Sequence, residues 1–320
     1  MEFDLSKLKV TSSPHIRSSE TTTQIMLDVI IALMPAFAVS IYRFGLYAAA
    51  LVIVSVGFCV LFEHFYCKLM KKASTVKDLS AVVTGILIAF CCPNTTPLWT
   101  VILGDAFAIL IVKQLFGGIG KNFMNPALTA RAFLLASYPV LMTKFYADGV
   151  SGATPLNALK NGILPEATVS DMALGMTEGC IGEISALALI LGGLYLLYRR
   201  VISWRIPVCY IGIVALVTLI FPKGDIPGFT YMLESILSGG LLLGAIFMAT
   251  DYTTSPVTPL GQIIFGLGCG LLNVFIRYFG SYPEGTSYAI LIMNTLVFLI
   301  EKITVPKKFG APKKVKEEKK

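Results

Sequence analysis

Two hydroxyl side chains, Ser151 and Thr154, stand three residues apart in DGVSGATPL (148–156), inside the longest polar gap of a very apolar chain. Gly149 and Gly152 make the stretch easy to bend, Ala153 leaves the hydroxyl beside it sterically open, and Pro155 ends the turn. A threonine hydroxyl is a poor nucleophile at its own pKa. No His or Lys adjoins it here, so a separate enzyme would have to activate it. Taken alone, four such letters are most often an ordinary turn; the alternative is an address that a modifying enzyme reads.

A second set of residues is conspicuous for where it lies. Asp28, Glu63, His64, Asp105, Arg131, Glu183, Asp251 and Glu284 fall within apolar runs or at their ends, where an ionisable group is costly in lipid and therefore a functional candidate. Asp105 sits in the middle of LGDAFAIL, while Asp251 and Glu284 stand at Thr/Pro- and Pro/Gly-rich breaks. These three are the candidates for an ion pathway. Glu63 and His64 are expected to snorkel from the end of their run, and Arg131 to neutralise one of the carboxylates. The seven cysteines have no CxxC spacing and read as packing residues, with no metal site expected. GGIGKN (117–122) lacks the four-residue gap and the Ser/Thr of a phosphate loop, although a glycine-rich turn before a helix can still hold an anion.

The elements that must carry these groups follow from composition. The chain is 55% hydrophobic and only 14% charged, where a soluble domain carries about 25% charged residues; mean hydropathy is +0.76. Apolar runs near 24–42, 46–66, 79–92, 97–116, 126–141, 181–198, 204–221, 232–250, 260–279 and 286–303 approach or reach the length that crosses a bilayer. None alternates as a transmembrane strand would. The expectation is an all-α integral membrane protein of about ten transmembrane helices. The first 23 residues are polar, and no signal peptide is expected. TGILIAFCCPNTTPL (84–98) echoes GAIFMATDYTTSPVTPL (244–260), and NPALTARAFLL (125–135) lies where PEGTSYAILIM (283–293) lies later. Five runs separate the copies, which predicts two inverted five-helix repeats with a site near the midplane between them. Gly240/Gly244 and Gly266/Gly270 have the spacing of close helix–helix packing.

Charge sets the orientation. With the N-terminus inside, twenty of the 26 basic residues fall on cytoplasmic segments and five, Arg43, Lys144, Lys160, Lys223 and Arg277, fall outside. The net charge of +7 is thus a membrane-topology signal facing anionic lipid, and no nucleic-acid partner is expected. The predicted organisation is a cytoplasmic segment (1–23), a first membrane repeat (24–141), an extracytoplasmic loop with Thr154 (142–180), a second repeat (181–303) and a basic cytoplasmic tail (304–320).

SSPHIRSSETTTQIMLDVIIALMPA (12–36), GGIGKNFMNPALTARAF (117–133), DGVSGATPL (148–156) and MATDYTTSPVTPLGQIIFGLGCGLLN (248–273) resemble the RnfD/NqrB family in order and position. The likeness covers most of residues 5–305, and the length is most like the D subunit of the Rnf ion-translocating electron transport complex. Tyr252 departs from the proline common in that local turn. The resemblance implies a membrane redox pump in the bacterial or archaeal cytoplasmic (inner) membrane, working between ferredoxin and NAD and coupled to Na⁺ or H⁺ movement. It implies FMN carried covalently as a phosphoester on Thr154, a flavin transferase that uses FAD and Mg²⁺, and in some members a second, non-covalent flavin whose residues nothing in this sequence fixes. Partners would be the other Rnf subunits, since no iron–sulfur cysteine pattern or dinucleotide fingerprint is present, and no catalytic residue is expected in this chain alone. The competing reading is an inverted-repeat secondary transporter or channel, which would account for the repeat and the acids but would leave the Thr154 loop without a purpose.

Overall fold

Several helices begin where a hydroxyl, Asn or Pro residue gives way to an apolar run, as at Thr21, Pro97, Asn125, Ser185 and Thr258. The computed structural model describes residues 20–147, 150–151 and 154–306. Helix α1 (Thr22–Phe44) opens on a capping box, with the Thr21 hydroxyl and the Gln24 side chain each taking the other's backbone N–H. It turns at Gly45 directly into α2 (Leu46–Leu69). Then come α3 (Ser80–Phe90), only 11 residues, and α4 (Leu98–Ala106), which continues as a π-helical stretch, Phe107–Gln114. Helix α5 (Pro126–Ser137) starts on Asn125, whose side chain accepts the N–H groups of Ala127 and Leu128. A break at Tyr138 separates it from α6 (Pro139–Met142).

The polar gap that follows holds a two-residue ladder (β1, Tyr146–Ala147; β2, Val150–Ser151) and two short helices, α7 (Pro155–Lys160) and α8 (Val169–Leu174). The second helical set is α9 (Ala186–Tyr198), α10 (Arg205–Ile220), α11 (Gly228–Leu237), α12 (Leu241–Leu243) continuing as π-helical Gly244–Met248, α13 (Pro259–Phe279) and α14 (Thr286–Thr304). The protein is therefore helical, with that one minimal ladder among the described residues.

Four helices, α1, α2, α13 and α14, are each long and apolar enough to cross a bilayer. The run expected to be one span at 232–250 is instead two pieces, Gly228–Leu237 and Leu241–Met248, bent by 62°. The reason is local. Gly239 adopts φ +70°, a left-handed conformation that ends a helix, and Gly240 begins the next piece. Gly240 consequently lies in the break and not on a helix, so its pairing with Gly244 is not the helix-packing motif its spacing suggested. Gly266 and Gly270 are such a motif: a Cβ on either would strike the backbone of α10, at 2.9 Å from Ile206 O and 2.8 Å from Tyr210 O.

Packing runs in matched pairs across the chain. Helix α1 lies against α9 and α5 against α14, while α2 packs on α3 and α4 much as α10 packs on α11 and α13. One continuous cluster of buried apolar side chains joins the two sets, with Leu33, Phe90, Ile109, Leu134, Tyr210 and Phe265 at its centre. Large apolar residues such as Tyr42, Leu46, Ile53, Phe65, Phe275 and Phe298 stay exposed on the outside, which suits contact with lipid rather than water.

Candidate functional site

Thr154 is the N-cap of α7, and its carbonyl accepts the N–H groups of Asn157 (2.8 Å) and Ala158 (3.2 Å). Its hydroxyl makes no capping bond. A cap residue normally spends that oxygen on the helix; among the described residues this one has no such partner. The helix beneath is firmly seated, because Leu156 and Leu159 are buried and Lys160 donates to the carbonyls of Gly280 (2.6 Å), Ser281 (2.8 Å) and Tyr282 (3.0 Å). Thr154 thus stands half-buried at a fixed place, not on the open, exposed turn its neighbours suggested. Ser151 belongs to β2, while Gly149, Gly152 and Ala153 lie outside the described residues.

The fixed place is the wall of a cleft of about 780 Å³, solvent at its mouth included, lined also by Arg131, Glu183, Gly239, Tyr282, Glu284 and Tyr288. Arg131, from α5, pairs with Glu284 in the loop before α14. The other oxygen of Glu284 accepts the Gly240 N–H at 2.5 Å, at the break between α11 and α12. Tyr282 and Tyr288 stack with ring centres 6.3 Å apart. Ser238 Oγ and Ser287 Oγ, both on this lining, are buried without a hydrogen-bond partner among the described residues, a state that ordinarily calls for a ligand or water.

A second cleft, about 770 Å³, is lined by Thr84, Lys113, Ile119, Asn122, Asn125, Phe247, Thr250, Asp251 and Thr253, among others. Asp251 accepts from Thr253 (3.1 Å) and Thr254 (3.2 Å), and Asn122 Nδ2 donates to Thr253 Oγ1 at 2.9 Å. Burial raises the Asp251 carboxyl above its usual range, and the Thr253 bonds oppose that. The two clefts lie at opposite ends of the same elements. Leu241–Met248 runs from Gly239 in the Thr154 cleft to Phe247 in the Asp251 cleft, and α5 runs the other way, from Asn125 to Arg131 and Leu135. Eight residues of helix are roughly 12 Å, so only a short wall separates them.

Glu63 corrects the expectation of snorkelling. It is fully buried, and Lys113 beside it is 3% exposed, with Nζ 3.0 Å from Oε2 and 3.2 Å from Oε1. Oε1 also accepts from Thr75 (2.5 Å) and Gln114 (2.8 Å), and Lys113 donates to Ser80 Oγ at 2.6 Å. Lys113 and Gln114 both come from the π-helical end of α4, whose wider turn brings two adjacent side chains to one carboxylate. Counted from the sequence as an ordinary cytoplasmic lysine, Lys113 is in fact half of a buried ion pair. His64, the next residue, is exposed.

Asp105 is fully buried on α4 against α2, where Ser55 Oγ lies 2.7 Å from its Oδ1 and 2.9 Å from the Gly85 carbonyl. Asp28 joins α1 to α9 by accepting from Tyr195 (2.8 Å) and Arg199 (3.2 Å). The structure therefore brings Thr154 and Glu284 into one cleft, places Asp251 in the other, and leaves Asp105 between helices away from both linings. Arg131 neutralises a carboxylate as its position suggested. Cys59, Cys67, Cys91, Cys92, Cys180 and Cys269 are buried and free, and no group of metal-ligating residues occurs among the described residues. In GGIGKN, Gly117, Gly118 and Gly120 all take positive φ, and Ile119 and Asn122 reach the Asp251 cleft.

The arrangement of a free threonine hydroxyl, an ion-paired cleft behind it and a second cleft a helix-length away belongs to a chain with well-described relatives. The family model described as NQR2, RnfD, RnfE matches residues 9–310. The chain is 51% identical over 319 residues to the D subunit of the Na(+)-translocating ferredoxin:NAD(+) oxidoreductase complex of Acetobacterium woodii, covering 98% of each chain. It is 42% identical to the D subunit of the proton-translocating ferredoxin:NAD(+) oxidoreductase complex of Clostridium ljungdahlii, over 94% of this chain and 96% of that one. The D subunit of the ion-translocating oxidoreductase complex of Actinobacillus succinogenes is 33% identical, over 94% of this chain and 98% of its own length. With the match running through nearly every helix and through both clefts, the chain belongs to the NQR2, RnfD, RnfE family.

Proposed function

We propose that this chain is the flavin-carrying membrane subunit of an Rnf-type complex, passing electrons within an assembly that links ferredoxin and NAD and moves Na⁺ or H⁺. The observation that carries the reading is the uncommitted Thr154 hydroxyl at the edge of a cleft. FMN joined to that hydroxyl through its phosphate would supply a bound one- or two-electron carrier. The lining fits such a group: Tyr282 and Tyr288 offer ring faces, and Ser238 and Ser287 offer hydroxyls that lack partners among the described residues. Lys160 and the buried leucines of α7 would hold the attachment point still. A flavin transferase, outside this chain, would form the bond.

The Asp251 cleft is the place we assign to a second, non-covalent flavin. It has an apolar wall at Leu87 and Phe247 and polar edges at Lys113, Asn122 and Thr250. Asp105, Asp251 and Glu284 are proposed as the ion pathway. Ten crossings in two inverted five-helix repeats, both termini inside and Thr154 outside in a cytoplasmic membrane, complete the reading. The matched packing of α1 on α9 and of α5 on α14 supports the repeat, and the basic residues support the orientation. The other subunits of the complex and membrane lipid would cover the exposed apolar faces.

The test is Thr154→Ala in the full chain, expressed with its transferase. Denatured wild-type protein should fluoresce as a flavin band in a gel, with one FMN less a water on the peptide containing Thr154. The variant should accumulate in the membrane, since its hydroxyl caps nothing in the fold, and should show no band. Ser151→Ala should keep label. Full labelling of Thr154→Ala, or flavin on Ser151, would defeat the proposal.

A further inference from the structure

The Thr154 cleft contains a carboxylate oxygen that nothing satisfies among the described residues. Glu284 is fully committed, one oxygen to Arg131 and the other to the Gly240 N–H at 2.5 Å. Glu183, just before α9, is only 7% exposed. Its Oε1 accepts the Cys180 N–H at 3.0 Å, and its Oε2 is buried with no hydrogen-bond partner. That free oxygen and Glu284 crowd the same point: a Cβ built on Gly240 would lie 2.2 Å from Glu284 Oε1 and 2.9 Å from Glu183 Oε2.

Among the described residues no cation forms an ion pair with Glu183, although Arg131 and Arg277 lie near enough to feel its charge. Arg131 of α5 is spent on Glu284 and otherwise reaches Cys180 Sγ at 3.9 Å. Arg277 of α13 donates to the carbonyls of Ser235 (2.6 Å) and Ser238 (3.4 Å). The remaining titratable groups on the lining are Glu178, Tyr282 and Tyr288, none of which supplies positive charge. Of two carboxylates that share a buried site, the one without an ion pair is the one placed to take up a cation.

We propose that Glu183 is a monovalent-cation site on the floor of the Thr154 cleft, its free oxygen holding one exchangeable proton, or Na⁺ in the proton's place, opposite Glu284. The site does not depend on a flavin at Thr154.

The experiment is infrared difference spectroscopy of the full chain in lipid nanodiscs, titrated from about pH 5 to about pH 9, above the ordinary carboxyl range. The wild type should show a protonated-carboxyl stretch that Glu183→Gln removes. Gln at 183 keeps an oxygen for the Cys180 N–H and gains an amide to donate towards Glu284, so the fold should tolerate it. Glu284→Gln should remove the same stretch by a different route, because it frees Arg131 to hold Glu183 ionised. Glu166→Gln, on the surface, should change nothing. Na⁺ added at fixed pH distinguishes the two cations: loss of the stretch means Na⁺ replaces the proton, and persistence means the site takes protons alone. Buried Asp105 contributes equally to both proteins, so a wild-type spectrum that matches that of Glu183→Gln throughout the range above about pH 6 would overturn the assignment.

Discussion

Replacing Lys113 by Met should cost this protein more than almost any other single change of similar size. The substitution leaves Glu63 fully buried with the Thr75 and Gln114 bonds but without its counter-charge. Removing one partner of a buried ion pair costs about 3–5 kcal/mol, and a large domain loses roughly 2–4 °C in Tm per kcal/mol. The expected fall is thus roughly 6–20 °C by the same scaling. Glu63→Gln combined with Lys113→Met removes both charges and keeps an acceptor for Thr75. It should recover most of the loss, since an apolar or neutral replacement of a whole buried pair is close to neutral. The buried free cysteines, such as Cys59 and Cys67, provide the assay: a thiol-reactive dye labels them only as the full chain unfolds with temperature in detergent. If Lys113→Met shifts the transition by less than about 2 °C, or if the two substitutions simply add, the pair is not the closed unit described here.

Cysteines at Glu166 and Pro312 should label from opposite sides of the membrane, Glu166 from outside; labelling of both from one side would break the ten-crossing arrangement. Glu166 is exposed and so accessible to the label. Asp105→Asn and Asp251→Asn should each lower ion transport by the assembled complex about tenfold or more, the loss of one interaction worth about 1.4 kcal/mol, while the flavin on Thr154 remains; unchanged pumping in both would make them structural. Gly240→Ala should destabilise by about 1–3 kcal/mol, because its Cβ collides with Glu284 and Glu183. Gly212→Ala, in the middle of α10 with nothing near its Cβ, should be neutral or stabilising in the same unfolding assay.

The helical class and most helix positions were legible because apolar run length and capping residues are local signals. Asn125-Pro126 and Thr258-Pro259 announce α5 and α13 directly. Thr154 was legible only through resemblance: its letters fit any turn, and the absence of a capping bond is a matter of three-dimensional placement. Arg131 with Glu284 could be anticipated in kind but not in partner, since 153 residues separate them. Lys113 was missed because a lysine at the end of an apolar run, before a glycine-rich turn, looks like an interfacial anchor. Its burial depends on the π-helical turn at Phe107–Gln114, and that departure from the 3.6-residue period leaves no mark in hydropathy. The 62° break at Gly239-Gly240 had a visible cue in the adjacent glycines, which helix-packing spacing masked. Ser238, Ser287 and Glu183 became notable only once their unsatisfied atoms could be seen on one lining.

The bonds from Tyr195 and Arg199 to Asp28 set a schedule for biosynthesis. Asp28 and Tyr195 are 167 residues apart in the chain, and synthesis proceeds at about 5–20 residues per second. The carboxylate of α1 therefore leaves the ribosome roughly 8 to 33 s before its partners on α9 exist. Helix α5 waits likewise for α14, so neither set of helices can finish its core while the other is missing. During that interval Asp28, in the second turn of α1, has neither of these bonds. Arrival of α9 answers Asp28 first, and α14, later in the chain, closes the packing against α5 last.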